Sequence, residues 1–163
     1  GATYVTTAGD STVTIGGGFF QADSIATTAI ADAQSTAVSL SAVTGDLTVG
    51  VGYASGDAYA DQSVGTDQIL KSASVTTAGV KYVSGDMTFN IGYASGEAND
   101  DVIDTVATDA NDTYESMGVS VDYTVASGVT ATIGFSDVTR ADEGTDDVAH
   151  SGTGWYIGAN VSF

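Results

Sequence analysis

The chain has 163 residues, with 21 acidic side chains against three lysines and arginines and a formal net charge of -18. So acidic a protein repels the phosphates of nucleic acid, and nucleic acid is therefore not expected as a partner. Because there is no cysteine, a disulfide framework and a thiolate metal site are excluded, and no segment reaches the roughly 20 apolar residues of a membrane-spanning helix.

Four segments alternate apolar residues with small or polar ones, the pattern of a strand with one apolar face. In chain order their apolar rows are Val13, Ile15, Gly17, Phe19; Leu47, Val49, Val51, Tyr53; Met87, Phe89, Ile91, Tyr93; and Val129, Ala131, Ile133, Phe135. Another alternating run precedes each segment, across a short turn of Gly with Asp or Ser. Glycine accepts the positive φ of tight hairpin turns, so the sequence predicts four β-hairpins. The terminal GWYIGANVSF is the ninth predicted strand.

Long acidic loops are predicted at the other ends of the hairpins, at about residues 21–34, 55–73, 96–113 and 137–152. Short turns at one end of a sheet and long loops at the other are typical of an antiparallel up-and-down meander. We interpret residues 1–163 as a single β-barrel domain or the C-terminal portion of one.

The row opposite the apolar residues consists mainly of Gly, Ser, Thr, Ala and Asn, with Lys81 and Asp122 as its clearest charges. A soluble sheet would carry many long charged side chains on that face. A transmembrane β-barrel instead turns its apolar row to lipid and its polar row to a lumen. The sequence therefore predicts an all-β fold, a transmembrane antiparallel up-and-down β-barrel. Its predicted pore-lining residues are Thr48, Lys81, Thr88, Asn90, Asp122 and Thr130.

Aromatic residues on the apolar row are predicted to form two belts, because amphipathic rings favour the membrane interfaces. Phe19, Tyr53, Tyr93 and Phe135 lie at the long-loop ends, and Tyr82, Tyr123 and Phe163 lie at the turn or terminal ends. A general preference of aromatic residues for strands explains their presence but not their shared register.

No constellation of residues suggests catalysis, and we expect the protein not to be an enzyme. His150 and Arg140 are predicted to lie in loops, with no nucleophile near His150. No organic cofactor is expected. The acidic pairs Asp100, Asp101 and Asp146, Asp147 are interpreted as hydrated loop residues. A secondary hypothesis makes them ligands of Ca²⁺ or Mg²⁺ ions that bridge the loops to anionic lipopolysaccharide.

Three stretches stand out: the repeated GYASGD and GYASGE, the segment DTYESMGVSVDYT at 112–124, and the terminal WYIGANVSF. They resemble the C-terminal half of the general diffusion porins of alpha-proteobacteria, the Rhodobacter-type porins. In outer-membrane proteins the last strand typically ends in an aromatic residue, with apolar residues at alternate positions before it, and the insertion machinery reads this row. The matching residues are Trp155, Ile157, Ala159, Val161 and Phe163.

The resemblance implies an outer-membrane porin of a Gram-negative bacterium, a water-filled channel for passive diffusion of small hydrophilic solutes and ions. It implies a homotrimer among outer-membrane lipid and lipopolysaccharide, with extracellular loops and a periplasmic C-terminus. Lys81 and Asp122 become a pore-wall cation and anion, or a mutually compensating pair. Because single-chain bacterial barrels have an even strand number, nine strands would be part of a larger barrel, one of about 16 strands.

Two alternatives stay open at this point. If residues 1–11 do not span the membrane, the chain is a small eight-stranded outer-membrane barrel with a structural or adhesive role. If the apolar row is a true core, the chain is a secreted, acidic, calcium-binding β-rich surface protein.

Overall fold

The fold consists of strands throughout the part of the chain that is described. A computed structural model describes residues 1–22, 33–59, 70–99, 111–141 and 149–162. Its strands are β1 (Ala2–Ala8), β2 (Ser11–Ala22), β3 (Ala33–Thr44), β4 (Leu47–Tyr59), β5 (Leu70–Ser84), β6 (Met87–Asn99), β7 (Asn111–Ala126), β8 (Val129–Ala141) and β9 (Ala149–Val161). Within these ranges no helix has the length and apolarity needed to cross a membrane.

The nine strands form one antiparallel sheet in which each strand pairs with its sequence neighbours, in the order β1 to β9. This confirms the predicted up-and-down meander. β1 pairs with β2 along its whole length, from Ala2 opposite Gly17 to Ala8 opposite Ser11. Residues 2–8 are thus a strand of the sheet, and the eight-stranded alternative, which left them outside the wall, is wrong.

The strands continue past the points at which the sequence analysis began the long loops. β4 runs to Tyr59, β6 to Asn99 and β8 to Ala141, and β9 begins at Ala149. The predicted loop positions of Arg140 and His150 are therefore wrong, because both residues belong to the paired ladder of β8 and β9. The physical reason is that backbone pairing needs no apolar side chains, so the ladder extends beyond the end of the apolar pattern.

Two-residue turns close the other ends of the hairpins, between Ala8 and Ser11 and at the three equivalent positions. Each turn contains a glycine with positive φ: Gly9 (61°), Gly45 (56°), Gly85 (59°) and Gly128 (77°). The carbonyls of Asp46, Asp86 and Gly128 accept hydrogen bonds from the backbone N–H groups of Val83, Thr124 and Ser162. Each of these turns thereby binds the first strand that follows its own hairpin.

The sheet has no packed core. Among the described residues no hydrophobic side chain is buried, and Val51, Ile91 and Ile133 are each more than half exposed. A secreted protein whose apolar row forms a true core would bury these side chains. The described residues do not show such a core.

Candidate functional site

The register divides the side chains of the sheet between two faces, because residues directly opposite each other on neighbouring strands point to the same side. The apolar face carries Val51 and Ile91, and the polar face carries their strand neighbours Gly50 and Gly92.

All six predicted pore-lining residues lie on the polar face. Thr48 is opposite Lys81, Lys81 is opposite Asn90, and Thr88 is opposite Asp122. Thr130 lies on the same face, two residues from Thr132, which is opposite Asp122. The structure thus brings the six residues together on one side of the wall, while their role in lining a pore stays a prediction.

A hydrogen-bonded cluster spans β6, β7 and β8 on the polar face. The side-chain amide of Asn90 donates to Asp122 Oδ2 over 2.9 Å and to Ser120 Oγ over 3.2 Å. The hydroxyl of Thr132 donates to the other oxygen of the same carboxylate. Asp122 is therefore held by two neutral side chains rather than by Lys81, the partner that the sequence analysis had considered. These contacts orient the carboxylate and leave its charge uncompensated within the cluster.

Sequence reasoning missed a group of residues at the long-loop end of the polar face. Arg140 is opposite Tyr114 on β7 and opposite His150 on β9. Together with Asp112 and the small residues Gly96 and Ala98 these side chains line a recess. Alternate residues of a strand share a face, so Arg140, four residues after Ser136, could have been assigned to the polar face from the sequence.

Tyr156 is a second residue that the sequence analysis missed on the polar face. It lies opposite Gly134, and its ring occupies the space that a side chain at residue 134 would take. Among the described residues Gly134 alone is buried. Tyr156 itself is 49% exposed, so the tyrosine covers the glycine and still presents surface on the polar side.

The aromatic residues of both predicted belts lie on the apolar face as far as they are described. Those residues are Phe19, Tyr53, Tyr82, Tyr93, Tyr123 and Phe135, whereas Phe163 lies outside the described residues. Tyr82 stacks with Phe89 at 6.5 Å between ring centroids. The rings of Phe135 and Trp155 are in contact, with 4.8 Å between their centroids. A location at membrane interfaces stays a prediction.

The apolar side chains proposed as an insertion signal form one row on β9. Trp155, Ile157, Ala159 and Val161 are opposite Phe135, Ile133, Ala131 and Val129 of β8. Because no described strand lies on the other side of β9, Trp155 is 77% and Ile157 86% exposed.

The apolar face becomes acidic beyond the aromatic residues at its long-loop end. Asp57 and Glu97 lie on this face four residues after Tyr53 and Tyr93, and the phenol of Tyr93 donates to Glu115 over 3.1 Å. Asp137 of β8 shares the face. The repeated GYASGD and GYASGE therefore place a ring, a serine and a carboxylate in succession on one side of the wall.

Metal binding finds no support in the part of the chain that the structure describes, where no three His, Asp or Glu side chains form a group able to hold an ion. The candidate ligands Asp100, Asp101, Asp146 and Asp147 lie outside the described residues.

Solved outer-membrane proteins share this arrangement of strands. OmpT of Vibrio cholerae, expressed in the outer membrane, superposes with a TM-score of 0.64 at 18% identity. The loop L8 deletion mutant of OmpT superposes with a TM-score of 0.61 at 19% sequence identity. An in-vitro folded trimer form of OmpT superposes with a TM-score of 0.54 at 22% sequence identity. The chain has the fold of an outer-membrane β-barrel. The predicted fold class is thereby confirmed, whereas the number of 16 strands stays a prediction.

These matches cover 98–99% of the chain but only 49–54% of the solved structures, so the chain spans about half their length. No protein-family model and no curated protein matches the chain.

One expectation requires correction, namely that the protein is not an enzyme. The matches to OmpT structures at 18–22% identity establish a fold, and a fold does not determine whether catalysis takes place on it. Catalytic groups are often carried by loops on a rigid scaffold, and residues 23–32, 60–69, 100–110 and 142–148 lie outside the described ranges. The exclusion of enzymatic activity is therefore withdrawn.

Proposed function

We propose that the chain forms part of the wall of a water-filled channel in the outer membrane, through which small hydrophilic solutes and ions diffuse passively. The observation that carries this proposal is the opposition of the two faces. The apolar face displays large aliphatic side chains between aromatic ones, as lipid contact requires. The polar face displays mainly glycine, alanine, serine and threonine, which do not fill the space beside them and which water solvates.

The sheet needs further strands to become a barrel wall. In the described structure β1 and β9 contact only β2 and β8 respectively, and an open sheet edge is not tolerated in the hydrocarbon of a bilayer. β1 and β9 both run toward the short turns. An antiparallel closure between them therefore takes an odd number of additional strands, and we propose that the same protein supplies them.

The surroundings of the channel follow from the charges on the wall. In the orientation we propose, the long loops are extracellular and the C-terminus is periplasmic, in a Gram-negative outer membrane. The carboxylates of Asp57, Glu97, Glu115 and Asp137 then lie at the level of the lipopolysaccharide headgroups, beyond the outer aromatic belt. The trimer form of an OmpT structure and the resemblance to the Rhodobacter-type porins support a homotrimer.

A pair of adjacent substitutions tests the assignment of the faces. Ile91 is 54% exposed on the apolar face, and arginine facing mid-bilayer lipid costs about 2–4 kcal/mol. Ile91→Arg should therefore reduce the yield of folded protein in the outer membrane. Gly92→Arg is the matched control, since no atom lies within 4 Å of a Cβ at residue 92; it should insert normally and lower the single-channel conductance.

Planar lipid bilayers provide the measurement of function. Addition of the full-length protein should produce stepwise ohmic conductance. Equal insertion of the two arginine variants would contradict the face assignment, and a purified, membrane-inserted protein without conductance would overturn the channel.

A further inference from the structure

Tyr156 lies along the polar face instead of projecting away from it. Its distal atoms Cζ, Oη and Cε1 are the ones nearest to the position of a Cβ at Gly134. The ring of Tyr156 therefore extends from β9 over β8 and lies where the Cβ of a larger residue at position 134 would be. In the described sheet, in which β9 has a free edge, the residue is 49% exposed, and its ring presents an aromatic surface on the polar side.

Polar side chains continue the same cross-strand row toward β5. Gly134 is opposite Ser120, Ser120 is opposite Asn90, and Asn90 is opposite Lys81. Neighbouring strands are about 4.8 Å apart, so Ser120 lies one strand beyond the glycine that Tyr156 covers. The cluster of Asn90, Ser120, Asp122 and Thr132 thus borders the aromatic surface directly.

The cluster offers hydrogen-bonding groups in fixed positions. Asp122 already accepts from Asn90 and Thr132, and a carboxylate has capacity for about four hydrogen bonds. It retains acceptor capacity for a ligand hydroxyl, while Lys81 supplies a donor on the same face. Binding sites commonly combine an aromatic surface with a few oriented polar groups.

We propose that Tyr156 and the neighbouring cluster form a saccharide-binding site on the inner wall of the channel. A sugar ring has an apolar C–H face that packs on an aromatic ring, and a rim of hydroxyl groups that donate to carboxylates and accept from ammonium groups. Asp122 accepts from the hydroxyl groups, and Lys81 donates to them. This inference rests on the proposed channel, because only there does the polar face enclose a solute path.

Two measurements on the full-length protein test the site, with maltohexaose as the probe. Binding to detergent-solubilised protein is measured by calorimetry, and reduction of single-channel current by the sugar is measured in planar bilayers. In both, Tyr156→Leu should raise the half-maximal sugar concentration about tenfold, the order expected when an aromatic contact is lost. Gly134→Ala should act in the same direction, because the added methyl group displaces the ring.

Tyr123→Leu is the matched control. Tyr123 is 47% exposed, close to the value for Tyr156, but lies on the apolar face, so its loss should leave sugar binding unchanged. A polyethylene glycol of similar size should reduce the current equally in all variants. Folding is checked by resistance to SDS without boiling.

The outcomes separate the site from the channel. Normal conductance with the same sugar dependence in wild type and Tyr156→Leu would overturn the saccharide site and leave the channel intact. Sugar binding that requires Tyr156, in a protein without conductance, would overturn the channel and the location of the site on a channel wall, and would leave only the contact between Tyr156 and the sugar. A sugar effect that Tyr123→Leu abolishes equally would also overturn the site.

Discussion

The charges of single residues are distributed unequally between the two faces. Among the described side chains the cations Lys81 and Arg140 lie on the polar face, together with Asp112 and Asp122. The carboxylates of Asp57, Glu97, Glu115 and Asp137 lie on the other face. If the chain forms the channel that we propose, the net charge of -18 is a poor guide to ion preference, because a permeating ion would respond to the charges on the polar face.

Neutralising one charge on the polar face should change ion selectivity. A unit charge about 10 Å from a permeating ion in water contributes ~0.4 kcal/mol, which corresponds to about a twofold change in partitioning. Asp122→Asn should therefore shift the reversal potential in a salt gradient toward anion preference, and Lys81→Gln should shift it toward cation preference. The double variant should return close to the wild-type value; shifts of the same sign from both single variants would contradict a polar face that lines the pore.

At the scale of the elements, the hairpin turns fix the register of the wall. Each two-residue turn requires positive φ at its glycine, as at Gly45 and Gly85, and the next turn residue binds the following strand, as Asp46 binds Val83. Slippage by one residue would move a whole apolar row from lipid to lumen. The repeated Gly-Asp pairs therefore help to keep the apolar rows of the strands on one face of the sheet.

Loss of one turn glycine should destabilise the barrel by backbone strain alone. Gly45→Ala places a Cβ in open space, with no atom within 4 Å, but keeps φ near +56°, a region that costs a residue with a Cβ about 1–2 kcal/mol. The midpoint of urea unfolding in lipid vesicles should fall accordingly. Gly92→Ala, which has equal space and no positive φ, should leave the midpoint unchanged or raise it; an equal fall in both variants would contradict turn strain as the cause.

At the scale of the whole molecule, the described sheet is one side of a wall with two free edges. The chain accounts for about half of the OmpT structures it resembles, and both edge strands run in the same direction. An odd number of further strands closes such a sheet with antiparallel pairs and gives an even total, as in single-chain bacterial barrels.

The mass of the native polypeptide tests this completion. If the same protein supplies the remaining strands, mass spectrometry of protein extracted from the outer membrane should give about twice the 16.3 kDa of this chain. A native mass equal to that of the chain would overturn completion within one polypeptide.

The strands and their two faces could be predicted from the sequence, because period-two alternation and glycine turns are local properties. Pairs such as Val49 and Val51, or Phe89 and Ile91, show which face of their own strand is apolar, whatever strand pairs with it. The ends of the strands could not be predicted in this way. The alternation of apolar residues ends near Tyr53 and Tyr93, whereas the paired strands extend to Tyr59 and Asn99.

The residues of different strands that lie together could be found only from the pairing of the strands. Asn90 and Asp122 are 32 residues apart in the chain and share a hydrogen bond, and Gly134 is covered by Tyr156, because the register between strands brings them opposite or diagonal to each other. The alternation of apolar with small or polar residues was readable from the sequence, since each strand carries that pattern locally. The polar cluster and the tyrosine surface beside it depend on pairing across strands, which no single strand encodes.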